Sequence, residues 1–357
     1  MQAGRRRFIA GLLATGLVPK PTWADAGSPF FLSAAALPNG TYVLCGIGAD
    51  LNITFELPLP ARGHAAAAHP LKPEAVAFAR RPGTFAIVID CMTGVQKAVL
   101  NAPAGRHFYG HGAFSADGSL LYTTENDYEA GRGCIGVWDA TGGYTRIGEW
   151  SSGGVGPHDI KRLPNSDVLV VANGGIDTHP DSGRTKLNIP TMKTNLSYVK
   201  DGSVVEVVEL LPEMHKNSIR HLAVAQDGGV AFGMQWQGDG VPSSLVGHHR
   251  LGEQAVLMQA SSNQLRDMQG YIGSIAFTEN GRTIAATSPR GGKVQFFSTL
   301  TASTSGTQTI PDVCGIAATP GGFLLTSGTG MLLSLGESFP ERSWVAQPHW
   351  DNHLIPI

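Results

Sequence analysis

The chain has 357 residues, 42% of them hydrophobic and 15% charged, with 46 glycines and a net charge of −2. That is enough apolar material for a large core, and the balance is not that of a disordered chain. With no Lys/Arg cluster beyond the first few residues, the charge balance argues against nucleic acid and anionic membrane surfaces as partners.

The N-terminus reads as an export signal. Arg5-Arg6-Arg7-Phe8-Ile9 has the form of a twin-arginine motif, with Gly4 and Ala10 in place of its usual flanking residues. The apolar stretch from Phe8 to Val18 is too short for a mature membrane span, and Ala24-Asp25-Ala26 offers a small-residue cleavage site. The expected division is therefore a twin-arginine signal peptide over 1–26 and a single domain over 27–357. The expected location is the periplasm. Twin-arginine export carries proteins that fold before crossing, which favours a bound metal or cofactor. Cys45, Cys91, Cys134 and Cys314 could there form two bridges or remain buried thiols.

The mature chain repeats one hairpin. Gly110-His111-Gly112-Ala113-Phe114, a turn at Asp117-Gly118, and Leu120-Leu121-Tyr122-Thr123-Thr124 form its clearest copy. Further copies begin at His158, His221, Ser274 and Gly315, and two more at Ser33 and Ala75. Seven copies leave about 47 residues for each, the length of a four-stranded propeller blade. Third and fourth strands follow several hairpins, as in Cys134–Asp139 and Lys293–Phe297. No convincing helix of ordinary length is visible. The fold expected is all-β, a seven-bladed β-propeller in one domain, and a monomer. The longest loop, from Asn173 to about Val199, follows a second strand and marks one face as the one where a site is expected.

Histidines gather at one place in the repeat. His64, His69, His107, His111, His158, His215, His221, His349 and His353 lie in or at the end of connections leading to an innermost strand, or in the tail. His179 sits in the long loop, and only His248 and His249 fall elsewhere. His111, His158 and His221 hold the first position of three consecutive innermost strands, and His353 in Trp350-Asp351-Asn352-His353-Leu354 repeats the pattern. All four should meet at the channel mouth, on the face of the long loops. Small residues at the matching positions, Ser33, Ala75, Ser274 and Gly315, predict a roomy opposite side. Converging imidazoles suit iron, copper, zinc or nickel. The expected metal ligands are thus His111, His158, His221 and His353, with His107, Glu125, Asp159, Gln235 and Asp351 as secondary candidates. The competing reading is structural, since propellers of the WD type carry a Gly-His pair for hydrogen bonding alone. Cys-x-x-Cys-His, Gly-x-Ser-x-Gly, Walker and His-Glu-x-x-His motifs are absent, so covalent c-type haem and the commonest hydrolase and nucleotide sites lack their signatures.

The twin-arginine start, Gly-His-Gly-Ala-Phe-Ser (110–115), Gly-Pro-His-Asp-Ile (156–160), Arg-His-Leu-Ala (220–223) and Trp-Asp-Asn-His-Leu (350–354) together resemble a family of exported bacterial propeller proteins classed as a domain of unknown function. Genes of that family often accompany those of imelysin-like and di-haem periplasmic proteins in clusters linked to iron uptake. The resemblance therefore implies iron handling, with such proteins as partners. In shape the chain is also similar to the propeller of nitrous oxide reductase, which gathers histidines for copper, and to propeller lactonases. The expected function is binding of a transition metal, iron first and copper second. A metal-dependent enzyme acting on a small substrate and an interaction scaffold are the alternatives.

Overall fold

The computed structural model describes residues 20–79, 85–183, 185–336, 344–345 and 348–357. The twin-arginine segment and the Arg81-Pro82-Gly83 turn lie outside them. The described chain is a seven-bladed β-propeller, each blade an antiparallel sheet of at least four strands. From channel to rim, blade 3 runs Arg106–Phe114, Leu120–Asp127, Arg132–Asp139 and Thr145–Ser151. Blade 4 begins at Pro157–Arg162, blade 5 at Asn217–Val224, blade 6 at Ser274–Phe277 and blade 7 at Val313–Thr319. A six-residue helix, Ser262–Asp267, sits in the connection into blade 6 and is capped by Ser261, whose hydroxyl accepts from the Gln264 amide. Among the described residues no helix is long and apolar enough to cross a membrane.

Blades hold together through the faces of their sheets. Tyr122, Ile135 and Val137 of blade 3 pack against Ile160, Leu169, Val171 and Val199 of blade 4 in one buried cluster, and similar clusters fill other seams. The alternation along each strand thus buries both faces of the inner strands, while rim strands such as Ser203–Glu209 alternate with solvent. At the turn Asp117-Gly118, the Asp117 carboxylate accepts from the Ser119 amide at 2.9 Å, and Gly118 takes φ +72°.

Two blades differ from the sequence reading by one strand. The innermost strand of blade 2 is Gly63–Ala68, and Glu74–Ala79 is its second strand, so Ala75 does not face the channel. In blade 1, Phe31–Ala36 is likewise the second strand. The innermost strand there is the C-terminal tail, pairing as His349–Trp350 opposite Ala36 and Ala35 and as Ile355–Pro356 opposite Leu32 and Phe31. The tail thus closes the ring as a strand. Trp350 and Leu354 are buried between blades 7 and 1.

The small residues that promised room make way for this tail. The Ser33 hydroxyl donates to the His353 carbonyl at 2.9 Å. A Cβ on Gly315 would lie 2.7 Å from the Leu354 nitrogen and 2.9 Å from the His353 carbonyl carbon, both backbone atoms. Ser274 alone of the four remains small and channel-lining. The expected signal boundary falls just after a 3-10 turn, Trp23–Ala26, in which Ala26 is buried and the Trp23 indole donates to the His69 carbonyl at 2.9 Å.

Gly315→Val should therefore expel the tail from its seat. The expected result is a loss of about 1–3 kcal/mol in denaturant unfolding, as for other overpacked sites, with amide exchange accelerated over 349–357. Unchanged exchange there would show that the tail does not depend on this close approach.

Candidate metal centre

The innermost strands deliver a histidine from five consecutive blades, counting the tail as the inner strand of blade 1: His353, His64, His111, His158 and His221. In each complete strand the ladder slips beside the histidine: between Gly63 and Ala66, Phe108 and Gly112, Pro157 and Asp159, and Ile219 and His221. In the tail, 351–354 lie between the two short paired pieces. A bulge re-aims one side chain without breaking the sheet, and here it turns each imidazole inward. The histidines consequently sit inside the channel: His64 and His158 at the second residue of their strands, His111 and His221 past the middle of theirs, and His353 between the paired pieces of the tail.

The rings form a compact group. Centroids lie 4.9 Å apart for His64–His111, 4.9 Å for His111–His158, 4.8 Å for His158–His221, 5.0 Å for His221–His353 and 4.8 Å for His353–His64. His111 also lies 4.7 Å from His353, which puts it at the centre. Two triads, His64/His111/His158 and His111/His221/His353, each bring one possible ligand atom per residue to within 4.8 Å of the others. Metal–imidazole bonds of about 2.0–2.1 Å require nitrogens within about 4.2 Å of one another. Ring shifts of less than about 1 Å would complete either set.

The surroundings fix which nitrogens face inward. Asp159 Oδ1 lies 3.2 Å from His111 Nδ1, and the Arg220 carbonyl lies 3.0 Å from His158 Nδ1. Both partners accept only, so both Nδ1 atoms carry the proton and both Nε2 atoms present lone pairs. His111 Nε2 faces His64 Nε2 at 3.2 Å. Both ring nitrogens of His221 and Nε2 of His353 are buried without a hydrogen-bond partner among the described residues. Orphaned polar atoms of this kind cost about 1–3 kcal/mol each unless something satisfies them.

Burial, reinforced by neighbouring cations and imidazoles, lowers the His221 pKa to about 3 and pushes His158 and His353 well below the usual value. All three are neutral near pH 7, the state a metal requires. Burial alone would raise the Asp159 pKa. Lys161, with Nζ 3.6 Å away, and His111 override it and hold the carboxylate well below its ordinary range. Asp159 also accepts from the Ile160 and Leu222 amides, at 2.8 and 3.0 Å, so one carboxylate ties blades 3, 4 and 5 together beneath the cluster.

The structure thus brings together all four expected ligands and adds His64. Of the secondary candidates only Asp159 touches the group. Glu125 is buried inside blade 3, where both its oxygens accept from Arg146 Nη1 at 2.6 and 2.8 Å. Gln235 donates to the Ile272 carbonyl, and His107 stacks on Tyr128 with centroids 5.9 Å apart. Asp351 pairs with Arg62 at 2.6 Å and accepts from the Asn352 amide, shaping the bend that presents His353. Four other histidines make hydrogen bonds away from the group. His69 Nδ1 accepts from the Leu71 and Lys72 amides, His249 bonds the Tyr198 hydroxyl at 2.6 Å, and His349 and His215 bond carbonyls. The four cysteines are buried and unbridged. Cys314, in the bulge of the blade 7 inner strand, donates to the Asp312 carbonyl at 3.2 Å.

The approach to the cluster is also opposite to expectation. The long loop between Asn173 and Asn195 is pinned above blade 3, with the Thr178 carbonyl accepting from Asn126 at 2.8 Å. A channel cavity of about 610 Å³ instead runs from His221, His353 and Asp159 to Gln226, Glu279 and Ile357, on the face of the inner hairpin turns.

Because His221 is buried and neutral when folded but free to protonate when unfolded, acid favours the unfolded chain. The stability it carries is complete above the unfolded value near 6.5 and is lost as pH falls from there toward about 3. Metal-free protein should lose melting temperature progressively over that window, and His221→Leu should flatten the loss. A parallel profile for the two proteins would contradict the buried neutral state.

Comparison with known proteins agrees with this geometry at the level of fold. No curated protein matches the chain. Hydrazine synthase from Kuenenia stuttgartiensis is a similar solved structure, with a TM-score of 0.62 at 12% identity, covering 87% of this chain and 96% of that one. At that identity the likeness concerns the propeller alone. Residues 57–357, every blade from the rim of the first to the closing strand, match a family described as a protein of unknown function, DUF1513, and the chain belongs to that family.

Proposed function

We propose that this protein is a periplasmic metal-binding propeller that holds a transition-metal ion, iron first and copper next, among His64, His111, His158, His221 and His353, and that it serves iron acquisition or handling. The observation that carries the reading is the group of bare ring nitrogens, both on His221 and Nε2 on His353, with the His221 ring packed against His111, His158 and His353, whereas the buried His69 and His249 are bonded. A single ion can take the lone pair of one His221 nitrogen together with that of His353 Nε2, while the other His221 nitrogen carries the proton. Donors that are all imidazole suit borderline metals such as iron, copper, nickel and zinc over magnesium or calcium. Asp159 on His111 and the Arg220 carbonyl on His158 supply the outer contacts that orient metal-bound imidazoles. Iron is favoured over copper by the family's genomic company, and the periplasm by the twin-arginine start. Imelysin-like and di-haem periplasmic proteins are the corresponding partners.

A second reading, a metal-dependent enzyme, is favoured by the cavity that reaches His221 and His353 from one face. Three protein ligands and an open position are the usual arrangement of catalytic sites, and either triad provides three.

Titration of the metal-free protein with ferrous, cupric and zinc ions should raise its melting temperature, since binding to the native state alone stabilises it. His111→Ala, central to both triads, should weaken the tightest binding about tenfold or more, and Asp159→Asn about 10- to 100-fold. His248→Ala, on the third strand of blade 5, should bind as the parent does. No melting shift with any of these ions, or equal shifts in the parent and His111→Ala, would refute the metal reading.

A further inference from the structure

The cluster's charge balance says what else must enter the channel. Its five donors are imidazoles, none of which brings a negative charge, and the carboxylate that touches them, Asp159, already faces the Lys161 ammonium at 3.6 Å. The guanidinium of Arg220, itself buried, lies near enough to depress His158 and His221. With Asp159 set against Lys161, a divalent ion at either triad would therefore sit with its full double charge in a buried place, near one further cation, Arg220. Buried charge of that size is not tolerated without a counter-charge.

The cavity shows where the counter-charge comes from. Its inner end is His221, His353, Asp159 and Lys161, with the Ser274 side chain beside them. Its walls toward the turn face are apolar, with Ala223, Ile275, Ile316 and Leu354 among them. Lys161 is about one-third exposed, at 32%, so its ammonium retains donors beyond Asp159. At about 610 Å³ the space far exceeds a water or hydroxide and suits a small organic molecule.

Resting on the metal reading above, we propose that the cavity binds a small organic carboxylate, one oxygen toward the ion held by His111, His221 and His353, the other on Lys161, and the apolar body along the lower channel. No bond is made or broken. The anion neutralises the ion, and the Lys161 hydrogen bond is charge-assisted. Entrance is from the face of the inner hairpin turns, past Gln226 and Glu279.

The test uses the purified protein loaded with cobalt(II), whose visible bands report its ligands. Butyrate and benzoate are titrated at full cobalt occupancy, with inorganic phosphate as comparison. Saturable changes with either carboxylate are expected, with affinity about tenfold or more weaker in Lys161→Met, the loss of a hydrogen bond to a charged group. Lys200→Met, at the end of an outer strand of blade 4, should titrate as the parent. Cobalt bands that no carboxylate perturbs at millimolar concentrations, a Lys161→Met titration identical to the parent, or a response to phosphate alone would each overturn the proposal while leaving the metal site standing. Failure to bind cobalt at all would remove the metal reading and the carboxylate with it.

Discussion

The ring depends on one pairing, the C-terminal tail laid along Phe31–Ala36. A propeller with an open seam would expose an unpaired inner edge and the apolar seam between blades 7 and 1. The tail covers both, through its ladder to the second strand of blade 1 and through Trp350 and Leu354. It does so with very little chain, two short paired pieces joined by 351–354. Those unpaired residues are where His353 turns into the channel. Closing the fold and completing the histidine cluster are therefore one event, and whatever stabilises the cluster also holds the seam shut.

The cluster itself is a local cost. Neutral imidazoles packed at centroid distances near 5 Å with bare nitrogens bury polar atoms for no internal return. Real proteins break the rules of core composition at functional sites, and blades 1 to 5 break them at the same repeat position. Blades 6 and 7 do not, having Ser274 and Gly315 there. Asp159 limits the cost on one side by fixing His111 and holding the backbone of blade 5 through the Leu222 amide. The side of the cluster formed by His221 and His353 faces the cavity and has no such support.

Most of the fold was legible because hairpins with apolar strands and Gly-containing turns recur at blade spacing. His111, His158 and His221 were legible as ligand candidates because they share one position in that repeat. His64 escaped because the first turn of blade 2, Pro70-Leu71-Lys72-Pro73, has no glycine. The nearest Gly-containing turn signal, Arg81-Pro82-Gly83, lay one strand later and shifted the frame of that blade. The Gly63-His64 pair, matching Gly110-His111, was the available signal. The same one-strand shift in blade 1 hid the tail's role as inner strand, and made Ser33 and Gly315 look like empty space when they are contact surface. Glu125 looked available because strand ends near a channel often supply ligands, but nothing in its own strand reveals Arg146 two strands away. Which face the site opens to depends on how the long loop folds back, and that is set by contacts such as Asn126 to Thr178, far apart in sequence.

The most direct test is an anomalous-difference map from crystals of the protein purified without added metal, recorded at the iron and copper absorption edges with zinc as control. The account predicts one strong peak inside the channel, at bonding distance, about 2.0–2.2 Å, from nitrogens of at least three of His64, His111, His158, His221 and His353. A channel with no anomalous peak, in crystals where the five imidazoles are ordered and bonded only to one another or to water, would contradict it.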